Sequence, residues 1–198
     1  MAKRIIIGLV GKKGCGKDTF YRIANNIIPF KRTAFADKIK QQLSQCFNIP
    51  LDVIDSFKVD DIAIVSRNKF EKCHIDEYGE VVDGRPITYS TISGRDFLRN
   101  FGMLMRNYDE SQFEKSVQSQ ILSDKESNFC VTDVRFSSEA KLIKDLGGVL
   151  VKIESDSDDM NDHHVTESGD FEVDYKIHNN KDTTYSHHIE KLIKQLVL

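Results

Sequence analysis

A glycine-rich turn between an apolar run and a helical pattern is the feature that most constrains how this chain folds. Residues 5–10 read IIIGLV, and the next nine residues read GKKGCGKDT. The β-branched run predicts a buried strand over residues 3–10. The spacing after the turn predicts a helix over residues 18–28 that ends before Pro29. The chain is therefore expected to begin with a strand, a tight turn and a helix.

The turn has the spacing Gly11–x4–Gly16–Lys17. Glycines at these positions let successive backbone N–H groups point inward, and the following helix adds the positive end of its dipole. A lysine directly after the last glycine is placed to reach β- and γ-phosphates. The pattern predicts a phosphate-binding loop, named the phosphate loop below (residues 11–17); a tight turn without a ligand is the alternative. The predicted nucleotide-binding residues are Gly11, Lys13, Gly14, Cys15, Gly16, Lys17, Asp18 and Thr19.

Asp18 occupies the position where such loops usually carry a Ser or Thr that binds magnesium. A carboxylate can also hold Mg²⁺, directly or through water. An acidic residue in the first turn of a helix is also favoured by the helix dipole alone. Asp18 is predicted to be a magnesium ligand, with stabilisation of the helix as the alternative. Thr19 could then supply a hydroxyl group to a phosphate.

Strand and helix patterns alternate along most of the remaining chain. Strands are expected at residues 33–35, 129–132, 149–153 and 173–177, and helices at residues 36–47, from 94, and at 112–122, 138–146 and 184–197. Such alternation predicts an α/β fold whose central, mostly parallel sheet has helices on both faces. Residues 50–92 have poor periodicity and turn signals, including a hairpin signal at Asp83–Gly84, so they are expected to form an irregular insertion. The expected organisation is one domain, with a core at residues 1–49 and 93–198.

The composition excludes several classes of protein. With 28 Lys and Arg against 31 Asp and Glu, the net charge is −3, which argues against a chain that binds mainly nucleic acid. No apolar stretch is long enough to span a membrane, and no secretory signal is visible. The four cysteines show no paired spacing, which is typical of free thiols in a reducing cytoplasm. A cytoplasmic protein is expected, and a homodimer is left open.

Several segments together resemble one family. They are GKDT at residues 16–19, TAFADKIK at 33–40, SGRDFLRNFG at 93–102, VTDVRFSSEAKLIKDLGG at 131–148 and DHHVTESG at 162–169. In this order they resemble the bacteriophage-type deoxynucleoside monophosphate kinases, which are relatives of the adenylate and guanylate kinases. The resemblance covers nearly the whole chain except residues 50–92. It implies a P-loop kinase fold.

The resemblance also implies a reaction. It implies phosphoryl transfer from ATP, with Mg²⁺, to a deoxynucleoside 5′-monophosphate, giving the diphosphate as a precursor for DNA synthesis. Two alternatives stay open: another small-molecule kinase of the same fold, such as a dephospho-coenzyme A or phosphomevalonate kinase, and a nucleotide-binding module without turnover.

The resemblance further implies residues that contact the acceptor. Catalysis of phosphoryl transfer relies on positioning and on cations, and arginine grips a phosphate bidentately. Lys17, Arg95 and Arg135 are therefore expected to be catalytic, and Asp133 to assist the metal. The expected acceptor contacts are Lys40, Arg95, Arg99, Gly102, Arg106, Phe113, Asp133, Arg135 and Glu139.

Several of these expectations carry an alternative. Each cationic contact can instead be a solvated surface side chain, and Asp133 can instead pair with Arg135. Glu139 is implied to recognise the nucleobase, but it can instead stabilise the start of a helix. Phe113 stands where the family leads us to expect a large aromatic residue beside the base, but it can instead be a core residue. Residues 154–170 correspond to a lid in nucleotide kinases, yet the stretch 154–170 contains no Lys or Arg.

Overall fold

A computed structural model describes residues 4–57, 62–65, 69–72, 91–155 and 171–197 of the chain. The chain separates into two compact units. The first unit contains residues 1–35 and 114–198, and the second contains residues 36–113. Each unit has its own sheet and its own apolar core.

The first unit is built on a five-stranded parallel sheet. Its strands are β1 (Ile6–Val10), β2 (Phe30–Thr33), β6 (Asn128–Val134), β7 (Val149–Glu154) and β8 (Tyr175–His178). Their order across the sheet is β2-β6-β1-β7-β8. The strand β1 lies in the middle, and its five residues are all buried. A strand covered on both faces reads as a continuous apolar run, which is why residues 5–10 carry so clear a signal.

Helices cover both faces of this sheet. The helices of the unit are α1 (Lys17–Ile27), α5 (Gln112–Ser123, whose first two residues fall in the second unit), α6 (Ser137–Asp145) and α7 (Thr183–Val197). Side chains of α1 and α7 share one apolar cluster with Ile7 and Leu9 of β1. On the opposite face, a Cβ atom at Gly8 would lie 3.2 Å from Ile143 of α6. Successive residues of β1 therefore face different helices, as the pleat of a strand requires.

The second unit combines three helices with a small sheet. The helices are α2 (Phe35–Phe47, whose first residue falls in the first unit), α3 (Leu51–Ser56) and α4 (Gly94–Tyr108). The strands β3 (Ile62–Val65), β4 (Lys69–Lys72) and β5 (Thr91–Ser93) form an antiparallel sheet in the order β4-β3-β5. Leu43, Ile54 and Leu98 belong to its core. The helix α4 begins at a capping residue, because the Ser93 hydroxyl accepts the N–H of Asp96 at 3.0 Å.

The predicted fold class is confirmed, with two local corrections. The extended piece expected at residues 33–35 is wrong: the strand is Phe30–Thr33, and Phe35 already opens a helix. Charged Lys31 and Arg32 in this edge strand hide its apolar pattern. Residues 50–92 are expected to form an irregular insertion, but their described part contains the helix α3, the strands β3 and β4 and the start of β5.

Other predictions lie outside the described residues. These are the hairpin at residues 83–84 and the lid at residues 154–170, apart from residues 154 and 155. The single-domain organisation and the homodimer stay predictions. Within the described part of the chain, no helix is both long and apolar enough to cross a membrane.

Candidate nucleotide-binding site

The candidate site of the first unit lies at the carboxyl edge of the parallel sheet. Val10 at the end of β1 pairs with Val134 at the end of β6, so the segments that follow these strands leave the sheet side by side. In the same way, Glu154 of β7 pairs with His178 of β8. Ligands of open α/β sheets bind at this edge. The phosphate loop leaves the sheet here, directly after β1.

The backbone of the phosphate loop requires its glycines. Gly16 has φ 108° and caps the N-terminus of α1, a conformation that residues with a Cβ rarely adopt. Its hydrogen also fills a tight space, since a Cβ atom would lie 2.4 Å from Nδ2 of Asn179. Gly14 has φ 78° and would place a Cβ in open space. The loop is thus tightly packed at Gly16 and open at Gly14, as expected of a loop that binds phosphates on its open side.

Lys17 folds back over the loop. Its Nζ donates to the carbonyl oxygen of Gly11 at 2.5 Å and to that of Lys12 at 2.6 Å. It also lies 3.7 Å from the sulfur of Cys15, which is buried. The ammonium group is therefore held at the centre of the loop, where it would meet the charge of a bound phosphate.

Two side chains that the sequence did not indicate form hydrogen bonds with carbonyl groups of the loop. The side of the loop that they contact is called its underside. Nδ2 of Asn179 donates to the carbonyl of Cys15 at 2.8 Å, and the hydroxyl of Tyr185 donates to the carbonyl of Gly16 at 2.9 Å. Asn179 directly follows β8, and Tyr185 lies in the first turns of α7. Burial raises the pKa of Tyr185, so its phenol stays protonated and able to donate even in alkaline solution. The motif carries no signal for these partners, because they are more than 160 residues away.

The metal prediction rests on two carboxylates. Asp18 is exposed in the first turn of α1 and Thr19 beside it is partly exposed. Among the residues that the structure describes, no three His, Cys, Asp or Glu side chains are grouped so that they could hold a metal ion. Mg²⁺ in phosphoryl-transfer sites takes one or two carboxylates together with water and substrate phosphates, so this donor set fits a nucleotide-borne ion.

Asp133 and Arg135 stand at the end of β6, next to β1. One carboxylate oxygen of Asp133 accepts the backbone N–H of Phe35 at 2.8 Å, which fixes the start of α2. One oxygen of the Asp133 carboxylate is thus bound to the backbone, and the residue is partly exposed. The side chain of Arg135 is exposed at the carboxyl edge of the sheet.

Glu139 is bound to the backbone at the start of α6. Its Oε2 accepts the N–H of Arg135 at 2.8 Å and that of Phe136 at 3.2 Å. This is the reciprocal half of a capping box, in which the third helical residue reaches back to the N-cap. Only 1% of its surface is exposed. The geometry favours the stabilising alternative over base recognition.

The second unit contains the other predicted acceptor contacts. Lys40 of α2 forms an ion pair with Asp55 of α3. Arg99 of α4 pairs with Asp96 one turn earlier, at 2.8 Å. Gly102 is buried, and a Cβ there would lie 3.0 Å from Cδ1 of Ile39, so its small size lets α2 approach α4.

The remaining three are placed differently. Arg95 is exposed in the first turn of α4. The guanidinium carbon of Arg106 lies 5.0 Å from the ring centroid of Phe113, within cation–π range. Phe113 is fully buried, which favours the core alternative for this ring over stacking on a base.

A curated protein is similar to the chain in sequence. The chain is 27% identical over 165 residues to a protein of Acanthamoeba polyphaga mimivirus that is named provisionally as a deoxynucleotide monophosphate kinase. The match covers 82% of this chain and 80% of that protein. No family model matches the sequence.

A solved structure is also similar to the chain. It is the dephospho-CoA kinase from Campylobacter jejuni, with a TM-score of 0.48, 15% identity and 98% of each chain covered. A similarity of this size assigns no substrate. The sequence comparison confirms the resemblance to the deoxynucleoside monophosphate kinases, and the parallel sheet followed by its glycine-rich loop has the predicted α/β architecture.

Proposed function

We propose that this chain is a kinase that transfers the γ-phosphoryl group of ATP to a deoxynucleoside 5′-monophosphate. The observation that carries the proposal is the geometry of Lys17, whose Nζ is held against the carbonyls of Gly11 and Lys12 inside a loop of left-handed glycines. The mimivirus relative, named for this class of acceptor, supports the choice of substrate.

The phosphate loop would bind the donor. Its N–H groups and the N-terminus of α1 present positive dipole ends, and Lys17 adds a full positive charge. When phosphates enter, Nζ of Lys17 exchanges its carbonyl partners for phosphate oxygens. A phosphate oxygen carries a negative charge and a carbonyl oxygen does not, so the ammonium group binds the phosphate more strongly and the exchange favours the bound state.

Arginine side chains would hold the acceptor phosphate. Arg135 of the first unit is an exposed guanidinium next to the phosphate loop's own strand. Arg95 and Arg99, one turn apart on α4 of the second unit, stay predicted acceptor contacts on the resemblance alone. A guanidinium matches a phosphate bidentately, which fixes the direction of attack as well as the charge.

The reaction needs no covalent intermediate with the protein. An oxygen of the acceptor phosphate forms a bond to the γ-phosphorus while the bond from that phosphorus to the β–γ bridging oxygen breaks, and ADP leaves. Mg²⁺ would neutralise the charge that develops on these oxygens, with Asp18 and Asp133 as its protein partners. The protein contributes placement and electrostatic stabilisation.

A coupled assay of ADP release tests the proposal. The chain is given ATP, Mg²⁺ and each deoxynucleoside monophosphate in turn, and product is verified as the diphosphate. We expect turnover with one or a few of these acceptors. Dephospho-coenzyme A and phosphomevalonate are included as separate acceptors. Turnover with either of them, and with no nucleotide, would replace the proposed substrate; ATP binding without any turnover would favour a binding module.

A further inference from the structure

Asn179 and Tyr185, beneath the phosphate loop, support an inference that rests on the proposed function. We propose that both are positioning residues, which orient the peptide planes of the loop so that the N–H groups of Gly16 and Lys17 face the bound phosphates. Neither side chain has to touch the nucleotide to do so.

The argument begins with the planar peptide. In a trans peptide the C=O group and the N–H group of the next residue point in opposite directions. Asn179 draws the carbonyl of Cys15 to the underside of the loop, at 2.8 Å from its Nδ2. The N–H of Gly16, in the same plane, must then point to the upper side.

The next peptide plane is held in the same way. The carbonyl of Gly16 accepts the hydroxyl of Tyr185 and the N–H of Phe20, both at 2.9 Å. Both lone pairs of this oxygen are used, so the plane has little freedom to rotate. The N–H of Lys17 is thereby also directed away from the underside.

The two anchors are themselves fixed. The backbone N–H of Asn179 donates to the carbonyl of Glu154 at 2.7 Å, and its Oδ1 accepts the N–H of Lys181 at 3.0 Å. Only 8% of Asn179 and 3% of Tyr185 is exposed. Buried donors with a single orientation keep the loop in its binding geometry before a ligand arrives, which avoids the cost of ordering it during binding.

The test compares anchors with matched controls. Tyr185→Phe and Asn179→Ala remove the two anchoring groups without adding charge. Tyr21→Phe is the control for the first, since the Tyr21 hydroxyl donates to the backbone of Phe30 at 3.3 Å. Asn128→Ala is the control for the second, because Asn128 also bridges two backbone groups, the N–H of Ile5 and the carbonyl of Pro29. The hydrogen bonds that these controls remove go to Phe30, Ile5 and Pro29, which lie outside the loop.

Binding of sodium tripolyphosphate and of ADP is measured by titration calorimetry, with thermal unfolding of every variant. We expect each anchor variant to bind both probes about five- to tenfold more weakly, while the controls bind normally at a similar loss of thermal stability. The KM for ATP should rise in the anchor variants and the KM for the acceptor should not. Equal probe affinities in anchor and control variants would overturn the inference.

The unsubstituted chain separates this inference from the proposed function. Binding of tripolyphosphate without turnover of any deoxynucleoside monophosphate would remove the proposed substrate. The probe affinities of the four variants would still decide the positioning role. A chain that binds neither tripolyphosphate nor ADP would overturn both.

Discussion

Nζ of Lys17 lies 2.5 Å from the carbonyl oxygen of Gly11, so the ammonium group closes the loop that it is proposed to serve. A lysine whose side chain is already ordered within the loop loses little further rotamer freedom when its Nζ exchanges carbonyl partners for phosphate oxygens. The ammonium group also offsets the partial negative charge of the carbonyl oxygens of Gly11 and Lys12, which would otherwise repel an anion.

Substitution Lys17→Ala is expected to reduce kcat by about a thousandfold, as when one preorganised donor to transition-state charge is removed. Because Lys17 is partly exposed, the free energy of unfolding should change by less than about 1 kcal/mol. The control is Lys141→Ala, at an exposed lysine of α6, which should retain full activity. Near-normal turnover of the Lys17 variant in the coupled assay would contradict the role of the loop.

Substitution Asp18→Ser tests the metal prediction. If Asp18 contacts Mg²⁺, the concentration of Mg²⁺ at half-maximal rate should shift by about threefold or more. Asp52→Ser is a matched control, because Asp52 is likewise an exposed acidic residue in the first turn of a helix. A Mg²⁺ titration that is unchanged, with a loss of about 0.5 kcal/mol of stability in both variants, would assign Asp18 to the helix dipole alone.

Substitution Arg135→Ala is expected to lower kcat/KM for the acceptor by about 10- to 100-fold, which is the value of a hydrogen bond to a charged group. The KM for ATP should stay within about twofold, since the donor is held by the loop. Arg22→Ala, at an exposed arginine of α1, is the control. Steady-state kinetics with each substrate varied in turn would exclude Arg135 if the acceptor parameters did not change.

Glu139 distinguishes capping from base recognition. A glutamine can replace the carboxylate in a capping box, so Glu139→Gln should keep the relative rates with the different deoxynucleoside monophosphates. Glu139→Ala leaves the N–H groups of Arg135 and Phe136 without their partner and should cost about 1–2 kcal/mol of stability. Rates with all acceptors and chemical denaturation are the measurements. A changed order of acceptors in the glutamine variant would restore the recognition role.

The buried thiol of Cys130 predicts an alkaline loss of stability. Burial raises the pKa of Cys130 in the folded chain, whereas an unfolded cysteine has a pKa of about 8.5. The folded state thus holds a proton that the unfolded state releases, and stability falls as pH rises above about 8.5, by up to about 1.4 kcal/mol per pH unit. Between pH 8 and 10, the slope of the free energy of unfolding against pH should be shallower for Cys130→Ala, as measured by chemical denaturation at each pH. Cys46→Ala, at an exposed thiol, should keep the original slope.

Local signals predicted much of the fold. The strand β1, the helix α1 and the glycines between them form a continuous segment, so periodicity and turn chemistry were enough. The strand β2 was misplaced because it has only four residues, and its exposed pair Lys31 and Arg32 lies between buried Phe30 and Thr33 without the alternation typical of a strand. So short a strand is defined by its pairing with β6, which lies far along the chain and leaves no signal in the local sequence.

The candidate site was predictable only where its chemistry is local. The spacing of the phosphate loop identified Lys17, but Asn179 and Tyr185 have no signature, because asparagine and tyrosine have many uses. Glu139 and Phe113 show the limit of local reasoning from the other side. Residue type and position allow either contact with a ligand or a structural role, and only the tertiary structure shows that Glu139 binds the backbone and that Phe113 is buried.

The partners of Gly16 have a consequence for how the chain is made. The loop leaves the ribosome early, yet the hydroxyl that holds its carbonyl belongs to a residue 169 positions later. At a synthesis rate of 5–20 residues per second, about 10 to 30 s separate the two. During this interval the nascent loop lacks both of its late anchors, so its final peptide orientation is set only after translation has passed the last strand of the sheet.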